Sequence, residues 1–223
     1  MGAGRFIFIS SPSVTFRLED RFGIRETDPL PPPINAYAAS KAAAEVLVRE
    51  AGDLRPVILR PRAIYGKGDV ALLPRLIRAA SQGPLPLLRG GRAVTQLTHV
   101  EDVVGSILAA IQAPPSFPGG TYHVAGPEEL PVRLIAETAC RRAGYEPRWR
   151  AIPWPVAHAG VRLMEALAHL RPGAPEPRIT LFGLGLFAFS QVLDRSALLR
   201  DLDFSPQIRF NAGLEEAFSE GEG

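Results

Sequence analysis

Residues 36–66 read AYAASKAAAEVLVREAGDLRPVILRPRAIYG, and their pattern decides the fold class. Ala36 to Ala51 predicts a helix: alanine and other good helix formers dominate, and Val46 and Leu47 lie on one side. Glu45, Arg49 and Glu50 fall elsewhere, and Gly52 ends the helix. Pro56 to Leu59 (PVIL) is a short, continuously apolar run, as expected of a strand covered on both faces. Upstream, Arg5 to Ser10 (RFIFIS) has the same character and reads as a second buried strand. Strand, helix and strand at these lengths make a βαβ unit, which implies a parallel sheet with a right-handed crossover.

The rest of the chain fits an α/β protein. A polar, proline-rich loop spans Ser11 to Asn35 and contains Pro31-Pro32-Pro33. Helices are expected at Leu72–Ser81, closed by Gly83-Pro84, and at Pro131–Ala143, stopped by Gly144. Thr98-His99-Val100-Glu101 has the spacing of a capping box and starts a helix through Ile111. Thr121 to Val124 is a short strand, Trp154 to Leu170 an amphipathic helix, and the tail from Ala212 a last short helix. Elements are shorter and less regular after about residue 84.

Composition narrows the function classes. The 223 residues suggest one domain, or one with a small appendage. A formal net charge of +2 without runs of like charge argues against a nucleic-acid partner. Cys140 is the sole cysteine, so no internal disulfide forms and the chain reads as cytoplasmic. Phe6-Ile7-Phe8-Ile9 is too short for a signal peptide. Ile179 to Phe189 (ITLFGLGLFAF) is the longest apolar stretch, short of the roughly 20 residues that cross a bilayer. It reads as a buried segment, with a substrate-lining or membrane-touching role as the alternative, so no integral membrane segment is expected.

Tyr37 and Lys41 stand four residues apart, on one face of the predicted helix. Free tyrosine, with a pKa near about 10, is a poor acid or base at neutral pH. A nearby ammonium favours the phenolate and lowers that value. A phenol so tuned exchanges a proton with a substrate oxygen during hydride transfer. The two lysines of the chain are Lys41 and Lys67, which gives the Tyr-x-x-x-Lys spacing more weight.

The motifs around this pair, RFIFISSPSV (5–14), ETDPLPP (26–32), NAYAASKAAAE (35–45) and LRPRAIYGKGD (59–69), resemble in order and spacing the extended short-chain dehydrogenase/reductases, the NAD-dependent epimerase/dehydratase family. LTHVEDVVGSILAAI (97–111), GTYHVAG (120–126) and SQVLDRSALLRDLDFSP (190–206) extend the resemblance to about residue 218. The resemblance implies the C-terminal part of a Rossmann-like, doubly wound parallel sheet with a small α/β substrate-binding region. Residues 1–84 are then the C-terminal half of the dinucleotide-binding domain. Residues 85–223 are then mainly the substrate-binding region, with some elements returning to the core. It implies that Ser11, with Ser10 as the neighbour to be confused with it, hydrogen-bonds the reacting oxygen. Tyr37 is then the general acid/base, Lys41 tunes it and binds the nicotinamide ribose, and Pro61, Arg62, Ala63 and Ile64 run beside the nicotinamide ring of NAD or NADP. On the residues alone, Ser11 also fits a turn before Pro12, and Arg60 and Arg62 also fit solvated strand-end arginines. His99 reads as structural and Asp102 as support for its helix start.

The chain departs from the family in lacking the glycine-rich phosphate loop, since Met1-Gly2-Ala3-Gly4 has no strand before it. We therefore expect a truncated chain, inactive alone, that binds dinucleotide poorly and exposes a strand edge. It is a fragment or, as the alternative, a short protein pairing with the missing N-terminal half; a homodimer through the Tyr37–Lys41 helix is the other pairing that the resemblance allows. Sugar-nucleotide enzymes of the family carry an arginine four residues before the position of His99, where this chain has the neutral Thr95. LRPRAIYGKGD and the apolar stretch ending in SQVLD are closer to the 3β-hydroxysteroid dehydrogenase-like branch. The preferred reading is oxidoreduction of a hydroxyl or ketone on a bulky apolar small-molecule substrate, sterol-like or long-chain. A nucleotide-sugar epimerase/dehydratase and a non-catalytic fragment or interaction module are the alternatives. No metal is expected.

Overall fold

The computed structural model describes residues 5–169 and 180–219. Strands β1 (Ile7–Ile9) and β2 (Arg21–Ile24) precede helix α1 (Ala36–Glu50) and strands β3 (Val57–Pro61) and β4 (Ile64–Tyr65). Helix α2 (Leu73–Gln82) leads to β5 (Leu85–Leu87), β6 (Val94–Thr95), β7 (Thr98–His99), helix α3 (Val100–Gln112) and β8 (Gly120–Val124). Then come β9 (Leu130–Pro131), α4 (Val132–Arg142), β10 (Trp149–Ala151), α5 (Trp154–His169), α6 (Leu181–Ala188), β11 (Gln191–Leu193), α7 (Ser196–Leu202) and α8 (Phe210–Ser219). The fold is α/β.

The central sheet is parallel, in the order β1-β3-β8. Ile9 pairs with Leu59, and Leu59 with Tyr122. All five residues of β3 are buried, because both its faces are covered. Alternation along the strands sorts the two layers. Val57 and Leu59 pack with Ile7, Ile9, Ala110, Val124, Leu198 and Leu202 beneath α3 and α7. Phe8, Ser10 and Arg60 face α1 on the other side, where they meet Lys41 and Glu45.

The structure corrects several expectations. β1 has one neighbour in this sheet among the described residues, in line with the expected exposed strand edge; the correction is that Ile7, Phe8 and Ile9 are half-buried and Phe6 is 42% exposed, not buried as the composition suggests. The loop after it contains the short helical turn Pro12–Thr15 and β2, which pairs in parallel with the distant β11. On α1 the expected faces are exchanged: Glu45 is fully buried, while Val46 and Leu47 are 49% and 67% exposed. The capping box of α3 does not form. His99 is the cap, its ring Nδ1 accepting the Glu101 N–H, whereas the Thr98 hydroxyl donates to the carbonyls of Arg62 and Val124. Asp102 lies in the first turn of α3, where a negative charge favours the helix start; its carboxylate also accepts the N–H groups of Gln207 and Ile208 and ties down the chain before α8.

Of the apolar stretch from Ile179, the described part forms α6, whose Leu181, Leu184 and Ala188 pack with Leu88, Val161 and Phe189. Its first residue lies outside the described residues, as does Leu170 at the end of the helix expected from Trp154. No helix among the described residues is long and apolar enough to cross a membrane.

Candidate active site

The carboxyl ends of the parallel strands, where α/β proteins form crevices, carry most of the residues singled out above. Ser10 and Ser11 leave β1 together but face different surroundings. The Ser10 hydroxyl, buried, donates to Glu45 Oε1 at 2.6 Å. The Ser11 Oγ accepts the N–H of Ser13 at 3.2 Å and so caps the turn Pro12–Thr15. Ser11 is therefore both a turn residue before Pro12 and a hydroxyl at the strand end. In the same turn, the Ser13 Oγ is enclosed without a hydrogen-bond partner.

Helix α1 starts at Asn35, whose side chain accepts the Ala38 N–H at 2.8 Å. One helical turn after Tyr37, Lys41 reaches off the helix to the end of β1, and its Nζ donates to the Ile9 carbonyl at 3.0 Å. The ammonium lies 5.9 Å from the centre of the Tyr37 ring and 5.0 Å from that of Phe8. Tyr37 is 51% exposed, and its hydroxyl has no hydrogen-bond partner among the described residues. Because α1 packs on the turn that Ser11 starts, Ser11, Tyr37 and Lys41 border one edge of the sheet. Pro61 ends the adjacent β3, and residues 62–64 follow it at the same carboxyl end of the sheet. Ala63 takes a left-handed backbone conformation (φ 45°), a strained geometry for a residue with a side chain, and Ile64 is 39% exposed.

Beneath these residues lies a buried ionic cluster that sequence reasoning missed. Glu45 accepts Arg60 Nε at 2.8 Å and Nη2 at 2.6 Å, the Ser10 hydroxyl, and Arg49 Nη2 at 2.5 Å. Burial pushes the Glu45 carboxyl up, but Arg60, Ser10 and Arg49 outweigh it and hold the group below its ordinary value. Arg60, 1% exposed, is therefore not a solvated strand-end arginine. His123 on β8 lies 3.4 Å from Arg60, and burial, with the charge of Arg60, pulls its imidazole down to about 4. Glu26 accepts the His123 backbone N–H at 2.7 Å, and burial pushes its carboxyl up. The signal available in the sequence was spacing: positions 37, 41 and 45 form one helical stripe.

Arg62 is not solvated either. It is 7% exposed, and both its Nε (3.0 Å) and Nη2 (2.9 Å) donate to the Thr95 hydroxyl. Burial alone lowers its guanidinium to about 10. Position 95, neutral in the sequence, thus has a cation standing on it, supplied from the end of β3. His99 is fully buried; its Nδ1 caps α3, and its Nε2, without a hydrogen bond, lies 3.8 Å from the Glu216 carboxylate. An open cleft of about 450 Å³ near α2 and α8, lined by Gly66, Asp69, Leu73 and Phe218, contains none of Ser11, Tyr37 or Lys41. Among the described residues no His, Cys, Asp and Glu side chains group as metal ligands.

The model of the NAD dependent epimerase/dehydratase family matches residues 1–125. The uncharacterized protein YbjS of Escherichia coli K12 is 30% identical over 222 residues, covering 96% of this chain and 65% of that protein. A 2-alkyl-3-oxoalkanoate reductase of Stenotrophomonas maltophilia is 30% identical over 221 residues, 96% of this chain and 67% of the reductase. Among solved structures, UDP-glucuronic acid 4-epimerase from Bacillus cereus in complex with NAD superposes with a TM-score of 0.68 at 20% identity, covering 96% of this chain and 60% of the epimerase chain. The chain thus spans about two thirds of the length of these curated relatives.

Proposed function

This chain belongs to the NAD dependent epimerase/dehydratase family, and from that premise we propose that it carries the acid–base residues of an NAD(P)-dependent oxidoreductase. The substrate is a hydroxyl or ketone on a bulky apolar molecule, long-chain or sterol-like. The observation that carries the reading is Lys41, whose ammonium joins the end of β1 to the Tyr37 helix. In this reading Tyr37 gives or takes a proton at the substrate oxygen, and Ser11 hydrogen-bonds that oxygen. Lys41 spends one N–H on Ile9 and keeps two for the nicotinamide ribose hydroxyls. Pro61 to Ile64 form the wall beside the nicotinamide. When bound, NAD or NADP supplies the hydride acceptor or donor.

This reading concerns the nicotinamide end alone. The turn Gly66 to Gly68 leads into a helix start, as a phosphate cradle does, but the Asp69 carboxylate already accepts the N–H groups of Ala71, Leu72 and Leu73. That helix start repels a pyrophosphate. We likewise propose that residues 1–84 belong to the cofactor-binding part and residues 85–223 mainly to the substrate-binding part. The similarity to a 2-alkyl-3-oxoalkanoate reductase supports a long-chain keto substrate. The guanidinium beside Thr95 keeps the nucleotide-sugar reading as the second one.

The test is NAD(P)H turnover with long-chain 3-oxo acids and sterols against UDP- and dTDP-sugars. It is run on the chain alone and on the product of its coding sequence joined to whatever lies upstream in frame. Tyr37→Phe is expected to lower turnover by about 10²–10⁴-fold without changing thermal stability. Turnover of sugar nucleotides alone sinks the preference, and turnover of nothing by the joined form favours a non-catalytic module. Calorimetry is expected to show weak NAD(H) binding by the isolated chain, because the helix start after Gly68 is already capped by Asp69; tight binding counts against that reading.

A further inference from the structure

We propose that Arg62 is the binding site for a single carboxylate on the substrate. The inference rests on the reading above for where the substrate lies. It starts from a contrast between two arginines two residues apart. Arg60 is buried against a carboxylate, Glu45. Arg62 is buried on a neutral hydroxyl and has no acidic partner among the described residues. A cation largely removed from water without a counter-charge is destabilised, and its free edge calls for an anion that arrives from outside.

The geometry says what kind of anion. Nε and the inner N–H of Nη2 form one edge of the guanidinium, and both converge on Thr95 Oγ1, which fixes the plane of the group. The other edge, Nη1 with the outer N–H of Nη2, has no partner among the described residues. Two parallel N–H bonds on one edge match the two oxygens of a carboxylate. One fixed cation neutralises one negative charge, which fits a carboxylate better than a diphosphate.

The position fits a substrate. Arg62 follows β3 as Ser11 follows β1, at the same end of adjacent strands. Its backbone is held on both sides: its N–H donates to the Val124 carbonyl at 2.8 Å, and its carbonyl accepts the Thr98 hydroxyl at 2.7 Å. Thr95 lies on β6, where the Val94 N–H donates to Ser190 Oγ just past the apolar helix α6. The guanidinium therefore stands on β6, beside the chain that leaves the apolar helix α6, and at the same end of the sheet as Ser11. The substrate class is an acid with a large apolar body, its carboxylate on Arg62 and its hydroxyl or ketone toward Tyr37.

The test uses the full chain, thermal shift and calorimetry, with 3-hydroxydodecanoate, its methyl ester and UDP as probes. The acid is expected to bind and raise the melting temperature, with the ester and UDP weaker by roughly 10- to 100-fold. Arg62→Met is expected to lose that preference while melting no lower than the parent, because it removes an uncompensated charge. Thr95→Val, which keeps the cation but frees its plane, is expected to weaken acid binding and leave ester binding unchanged. If Arg62→Met does not fold, the Thr95→Val arm decides alone. Equal binding of acid and ester, or an unchanged preference in either variant, overturns the proposal, and so does Arg62-dependent binding of UDP in place of the acid. Acid binding without redox turnover overturns the proposed reaction but not this site.

Discussion

Replacing Arg60 by methionine tests the cluster that fixes the edge of the sheet. The side chain is 1% exposed and makes two hydrogen bonds, 2.8 and 2.6 Å, to the fully buried Glu45. Methionine keeps much of the volume but leaves Glu45 with only the Ser10 hydroxyl and Arg49. Breaking a buried pair by removing one partner costs about 3–5 kcal/mol. At about 2–4 °C per kcal/mol for a chain of this size, the melting temperature should fall by about 6–20 °C. Removing both charges in Glu45→Leu/Arg60→Met should recover most of that loss, since a buried pair replaced by apolar groups is often close to neutral. Circular dichroism melts and urea titrations of the two single variants and the double variant close the cycle. The pH dependence has a definite sign. Glu45 has a depressed folded value, so its contribution is present above the ordinary carboxylate value of 4.5 and is lost as the pH falls through the folded one. A loss under about 1 kcal/mol in Arg60→Met, or a double variant no more stable than the single, refutes the reasoning.

Two further predictions concern the same sheet. His123, pulled from 6.5 to about 4, is neutral in the folded chain, so the stability it contributes is present above pH 6.5 and lost as the pH falls toward 4. Its ring signals in NMR should titrate near pH 4, and a midpoint near 6.5 contradicts its burial beside Arg60. Gly126→Ala places a Cβ on the Leu97 carbonyl oxygen, so it should cost at least about 1–3 kcal/mol; a chemical denaturation midpoint equal to the parent's contradicts that close approach.

The alternation of strand and helix was legible because each element is continuous in sequence and carries its own periodicity. Pro56 to Leu59 needed only its apolar run to be read as a buried strand. Glu45 was not legible as a core residue, because a lone glutamate on a helix ordinarily faces water, and its partner Arg60 lies in another element. Once that pair took the inner face, the rotation of α1 left Val46 and Leu47 outside. β2 escaped notice because Arg21 to Ile24 has an exposed Phe22 and pairs with β11, far along the chain. The Thr98 hydroxyl was drawn away from its expected cap by two carbonyls at the strand ends. Tyr37, Lys41 and Ser11 were readable as a motif; the cation resting on Thr95 was not, since no local pattern links positions 62 and 95.

Ala63 sets a limit on how this protein can vary. With φ at 45° and its carbonyl accepting the Thr98 N–H, the position favours glycine or asparagine as replacements and penalises valine, isoleucine, threonine and proline, whose φ preferences exclude it. A saturation library selected for soluble expression should therefore return a skewed set of codons there, with branched residues depleted although the site is small and partly open to water.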